Sequence, residues 1–126
     1  MKMKSVAGVV CYVKDLKKTS EFYKALGFTV TQNDEEKIAV RLNWFWLDFM
    51  PQDKESKAEF KQEAQSPTKG AGQYLYISVE DVDEFYKGVL DKGLEPSSEP
   101  RDWPWGNREF VLRDPDGYKL VFFKRL

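Results

Sequence analysis

The sequence predicts an α+β fold built from two βαβββ modules. Three observations point there. Strand and helix signals run in the order β-α-β-β-β twice along the 126 residues. Val13-Lys-Asp-Leu16 returns as Val79-Glu-Asp-Val82, and Gly27 returns as Gly93, both at an offset of 66. Glu21-Phe-Tyr-Lys24 returns as Glu84-Phe-Tyr-Lys87 at an offset of 63. That slip of three is close to one helical turn, so the residues still face nearly the same way.

Each element follows from its own residues. Residues 5–13 are β-branched and aromatic-rich, and predict a strand. Asp15 then caps a helix with apolar Leu16, Phe22, Tyr23 and Leu26, which Gly27 stops. Strands are expected over Phe28–Gln32, Lys37–Leu42 and Trp44–Met50. Residues 52–71 are polar and charged, and predict a solvated linker with one short helix around Ser56–Gln65. Module one is thus 1–51 and module two 72–126. Gln73–Val79 alternates as a strand. Asp81 opens a helix with Val82, Phe85, Tyr86, Val89 and Leu90 on one face, and Gly93 closes it. Leu94–Ser97, Glu109–Arg113 and Tyr118–Lys124 are further strands, the last two joined by the turn Asp114-Pro-Asp-Gly117.

Composition removes many functions. There is no histidine and one cysteine. Histidine-assisted nucleophiles and histidine-based zinc sites are excluded within the chain, and so is an intrachain disulfide. Any metal would need oxygen ligands. A net charge of −1 from 20 Lys+Arg and 21 Asp+Glu argues against nucleic-acid binding. No apolar run approaches the ~20 residues of a membrane span. Val6–Val10 is too short for a signal-peptide core, so the cytoplasm is the expected location.

The stretches Val13–Phe28, Tyr74–Asp81 and Arg108–Tyr118 resemble the vicinal oxygen chelate superfamily of glyoxalase I, bleomycin-resistance proteins and extradiol dioxygenases. Trp105-Gly-Asn-Arg-Glu-Phe110, leading into Asp-Pro-Asp-Gly, looks most like the bleomycin-resistance branch. The resemblance implies one domain over 1–126. Its mixed sheet is an open, saddle-shaped half-barrel around a cleft, with helices on the outer face. It also implies a homodimer. In metal-dependent relatives four strands supply ligands, and the matching positions here are Gly8, Asp48, Tyr74 and Val121. Three of these cannot serve as ordinary divalent-ion ligands, so no metal and no other cofactor is expected.

Strand alternation then fills the cleft face with Val10, Tyr12, Arg41, Trp44, Trp46, Asp48, Tyr74, Tyr76, Ser78, Lys119 and Phe123. The opposite faces are apolar, including Val9, Cys11, Val13, Ile38, Val40, Leu42 and Phe49. The candidate ligand-binding residues are Arg41, Trp44, Trp46, Asp48, Tyr74, Tyr76, Trp103 and Trp105. Trp46, Tyr74 and Tyr76 suit either a planar ligand or a dimer interface. Trp103 and Trp105, in the loop Pro100–Gly106, suit either a lip over the ligand or boundary packing. Asp48 reads as a paired carboxylate, and Arg108 with Glu109 as a surface or interface ion pair. Cys11 reads as a small hydrophobe on the core face. The expected function is metal-independent binding of a small planar or aromatic molecule, with no nucleic-acid or membrane partner. The alternatives are a metal-dependent lyase or dioxygenase, an enzyme using Asp48, Tyr74 or Tyr76 as acid or base, and a protein-interaction module.

Overall fold

The first strand, β1, spans Gly8–Val13, starting later than its apolar composition suggests. The computed structural model describes residues 1–126. Asp15 leaves the strand in an extended conformation, and its carboxylate accepts the Lys18 backbone N–H at 3.1 Å. That bond caps helix α1, Leu16–Ala25. Three strands follow: β2 (Thr29–Asn33), β3 (Ile38–Leu42) and β4 (Phe45–Pro51). Their order is β1-β4-β3-β2, with β1 parallel to β4 and the other pairs antiparallel.

These elements make up a first unit, Met1–Pro67. Its core is Val13, Phe22, Tyr23, Ile38, Val40, Leu47 and Phe49, all buried. The Tyr23 and Phe49 rings lie 4.6 Å apart. Val9 and Leu42, expected in that core, are instead 37 % and 42 % exposed. Val9 lies on β1, an edge strand with a neighbour on one side only, and Leu42 borders the β3–β4 turn. Cys11, on the same edge, is half-buried. The segment expected as a linker carries a 3₁₀ turn, Gln52–Lys54, and helix α2, Ala58–Ala64, whose Ala64 is fully buried.

The second unit, Thr68–Leu126, repeats the topology. It contains β5 (Tyr74–Ser78), helix α3 (Val82–Asp91), β6 (Arg101–Asp102), β7 (Asn107–Arg113) and β8 (Lys119–Arg125). The order β5-β8-β7-β6 matches the first sheet, again with one parallel pair. Helices α1 and α3 are both ten residues long and begin 66 residues apart. Asp81 caps α3 as Asp15 caps α1, accepting the Glu84 N–H at 3.0 Å. The Glu-Phe-Tyr-Lys repeat does not keep equal faces. A slip of three residues leaves the side chains about 60° short of a full turn. Phe22 and Tyr23 are buried, whereas Phe85 and Tyr86 are half-buried, beside buried Val82 and Val89.

No strand forms at 94–97. Pro96 has no N–H to give a ladder, and the short strand forms only after Pro100. The β7–β8 turn is as expected. Asp114 N–H donates to the Tyr118 carbonyl at 2.9 Å, and the Asp114 carboxylate accepts the N–H groups of Asp116 and Tyr118. Phe110, Leu112, Leu120 and Phe122 form the buried face against α3. No helix is long and apolar enough to cross a membrane.

Candidate functional site

In the first unit, strand alternation puts Gly8, Val10 and Tyr12 of β1 on one face with Ala39 and Arg41 of β3 and Trp46 and Asp48 of β4. Arg41 is the register partner of Trp46. Gly8 also pairs with Trp46, and the closeness of that pair decides its residue type. A Cβ added at Gly8 would overlap both the Trp46 indole and the Trp46 carbonyl oxygen. The indole thus occupies the space that a side chain at position 8 would need. Asp48 accepts a bond from the Lys37 ammonium at 3.0 Å, and both groups are partly exposed. The reading of Asp48 as a paired carboxylate names no partner; Lys37 is that partner. Trp44 differs from expectation. It sits beyond β4 in the two-residue turn Asn43-Trp44, 73 % exposed, because Leu42 pairs with Phe45 and Asn43 takes φ of 55°.

In the second unit, Tyr74 and Tyr76 of β5 share a face with Lys119, Val121 and Phe123 of β8 and with Asn107 and Glu109 of β7. The Lys119 ammonium lies 3.7 Å from the centre of the Tyr74 ring. The Tyr76 ring meets Phe123 edge-on at 5.4 Å. Glu109 organises the rest. It is only 4 % exposed. Its Oε2 accepts the Trp105 indole N–H at 3.0 Å and the Asn107 amide at 2.9 Å. Its Oε1 accepts the Tyr76 hydroxyl at 3.3 Å. The Trp103 and Trp105 rings stack at 4.6 Å and 13°, and the Arg101 guanidinium lies 3.6 Å from the Trp103 ring centre. A tight turn holds them: Gly106 N–H donates to the Trp103 carbonyl, and Trp103 N–H to the Asn107 carbonyl.

Glu109 and Arg108 are therefore not an ion pair. Adjacent strand residues point to opposite faces. Arg108 points to the helix side, where it makes a fork to Asp83 (2.9 Å from each nitrogen) and a third bond to Asp102 (3.0 Å). Those bonds hold the Asp83 carboxyl below its usual range. Glu109 is the functional-site candidate that sequence reading misses, although the period of two was signal enough to separate it from Arg108.

Burial first, then the Glu109 charge and hydrogen bond, raise the Tyr76 phenol above the ordinary tyrosine range. Tyr12, which donates to Glu55 at 2.8 Å, is raised chiefly by that bond. A phenol with a raised folded pKa adds stability that is fully present below its unfolded pKa of about 10. That stability is lost as pH rises through the folded value. Ultraviolet titration of the tyrosines should therefore move one late-ionising group to lower pH in Glu109→Gln, with the part of the rise due to burial retained. Superimposable titrations of the two proteins would contradict the Tyr76–Glu109 contact.

Residues 5–122 match the family model of the Glyoxalase/Bleomycin resistance protein/Dioxygenase superfamily. The chain belongs to this superfamily. It is 31 % identical over 121 residues to the uncharacterized protein YraH of Bacillus subtilis (strain 168), covering 90 % of this chain and 93 % of YraH. It is 28 % identical over 122 residues to the bleomycin resistance protein of Geobacillus stearothermophilus, covering 90 % and 92 %. Among solved structures, a glyoxalase/bleomycin resistance protein/dioxygenase from Nocardioides shares the fold at a TM-score of 0.79 and 18 % identity. The match covers 100 % of this chain and 86 % of that one.

Membership raises the question of the divalent ion that many members of the superfamily hold. The residues here do not fit one. Gly8 offers no donor, and the Trp46 indole fills its side-chain space. Asp48 already holds Lys37, Tyr74 lies beside the Lys119 ammonium, and Val121 is a buried hydrocarbon. No three His, Cys, Asp or Glu side chains converge anywhere in the chain. Glu109 is a carboxylate whose three hydrogen-bond donors are all neutral, and it belongs to no cluster of three acidic groups.

Proposed function

We propose that the protein binds a small planar or aromatic molecule without a metal ion, as a sequestering protein of the bleomycin-resistance type. The observation that carries this reading is the face around Glu109. Tyr74, Tyr76 and Trp105 are 59 %, 45 % and 58 % exposed there, and the two tethered to Glu109 are oriented by hydrogen bonds together with ring contacts to Phe123 and Trp103. Exposed, oriented aromatic rings give stacking area at little entropic cost. The kinship to bleomycin resistance proteins, at 28 % identity, supports the same class of function. In the first unit Trp46 and Arg41 contribute a second aromatic and polar face, with Asp48 tied to Lys37.

We take the working form to be a homodimer in the cytoplasm, where the single cysteine stays reduced. Val10 and Trp44, 52 % and 73 % exposed, are apolar surface that a second copy would cover. Titrating the protein with a panel of aromatic antibiotics and metabolites, read by tryptophan fluorescence, tests the reading. Saturable quenching by at least one compound is expected, weakened at least tenfold in Trp105→Ala. A panel that leaves the fluorescence unchanged would overturn it.

A further inference from the structure

We infer that the carboxylate of Glu109 is a cation subsite, so that the preferred ligand carries a protonated nitrogen on or beside its planar ring. This rests on the reading of the Glu109 face as a small-molecule site and adds the charge of the ligand.

Burying a carboxylate is costly unless a cation or enough donors compensate it. Glu109 has three donors, and all are neutral. They are unevenly shared. Oε2 takes two bonds of 2.9–3.0 Å, while Oε1 takes one long bond of 3.3 Å. A carboxylate has about four acceptor positions, so Oε1 keeps capacity for a stronger donor. A charged N–H donor bonds roughly twice as strongly as a neutral one.

The chain's own cations do not fill that place. Lys119 and Arg113 share the face but pair with each other in register. Lys119 is four residues along β8 from Phe123, the partner of Glu109, which is about 13 Å. Arg101 is the direct register partner of Glu109 on β6, yet its guanidinium lies over Trp103 instead. No ion pair to Glu109 forms. Arg108 points to the other face. The carboxylate is thus walled by Tyr76 and Trp105, and a flat cation can stack on the indole while donating to Oε1. Arg101, and Arg125 opposite Asn107 on the same face, are the internal competitors, and neither pairs with Glu109.

Benzamidine, benzamide and benzoate make a matched series of cation, neutral and anion. Their binding can be followed by NMR at the Trp105 indole N–H, identified by its loss in Trp105→Phe. Benzamidine should shift that signal saturably, at least tenfold more tightly than benzamide or benzoate. Glu109→Gln should lose that preference, Glu109→Asp should retain most of it, and Arg101→Gln should strengthen it. Opposite effects at positions 109 and 101 would not arise from simple loss of structure. Equal affinity for the three probes, or a preference that survives Glu109→Gln in a folded protein, would overturn the inference. Equal affinity would still leave aromatic binding standing. No shift with any of the three would also overturn it, and the broader panel would then decide the parent reading separately.

Discussion

Truncating Phe122 to alanine is expected to lower the stability of the protein by about 3–5 kcal/mol. Phe122 is 1 % exposed and sits between two aromatic neighbours, with ring centres 4.6 Å from Phe85 and 5.2 Å from Phe110. Close-packed surroundings relax only partly around a lost ring, so a cavity adds to the lost burial. The consequence extends to the site. Phe122 fixes β8 against α3, and its flanking residues Val121 and Phe123 form the opposite face beside Tyr76 and Glu109. Urea unfolding followed by circular dichroism measures the loss. A change below about 1 kcal/mol would mean that the second unit does not depend on this aromatic packing.

Gly8→His is expected to destabilise the protein by about 1–3 kcal/mol and to create no metal site. The new Cβ would collide with the Trp46 ring, which can rotate aside, and with the Trp46 carbonyl oxygen, which belongs to the β1–β4 ladder and cannot. A histidine at that position would still lack partners, because Asp48 is held by Lys37 and no acidic cluster is near. Thermal melting with and without Ni²⁺ or Zn²⁺ tests both parts. A variant as stable as the parent, or one raised in Tm by either ion, would show that the Trp46 indole does not occupy the ligand space.

Much of the fold was legible because its signals are local. Asp15 and Asp81 announce their helices by capping chemistry, and the period of two separates Leu47 and Phe49 from Trp46 and Asp48. The misses have physical causes as well. Val9 has strand composition and the correct phase but lies on an edge, and edges are set by sheet order, which one strand's residues do not carry. Leu94–Ser97 looked extended, but Pro96 limits its pairing. Trp44 has the composition of the strand that follows it, but the turn opened by Asn43 takes two residues and includes it. In the site, aromatic content was readable and the hub was not. Glu109 is buried by partners at positions 76, 105 and 107, on two different strands and a turn. Nothing in its immediate neighbours except the alternation with Arg108 marks it.

The decisive measurement is the ligand titration carried out twice on one preparation, first after exhaustive treatment with EDTA and then after restoring Mn²⁺, Ni²⁺ or Zn²⁺. Stacking on tethered aromatic rings beside an uncoordinated carboxylate requires no ion, so the same Kd is expected in both titrations. Binding that appears only after an ion is restored would contradict metal-free capture at this face.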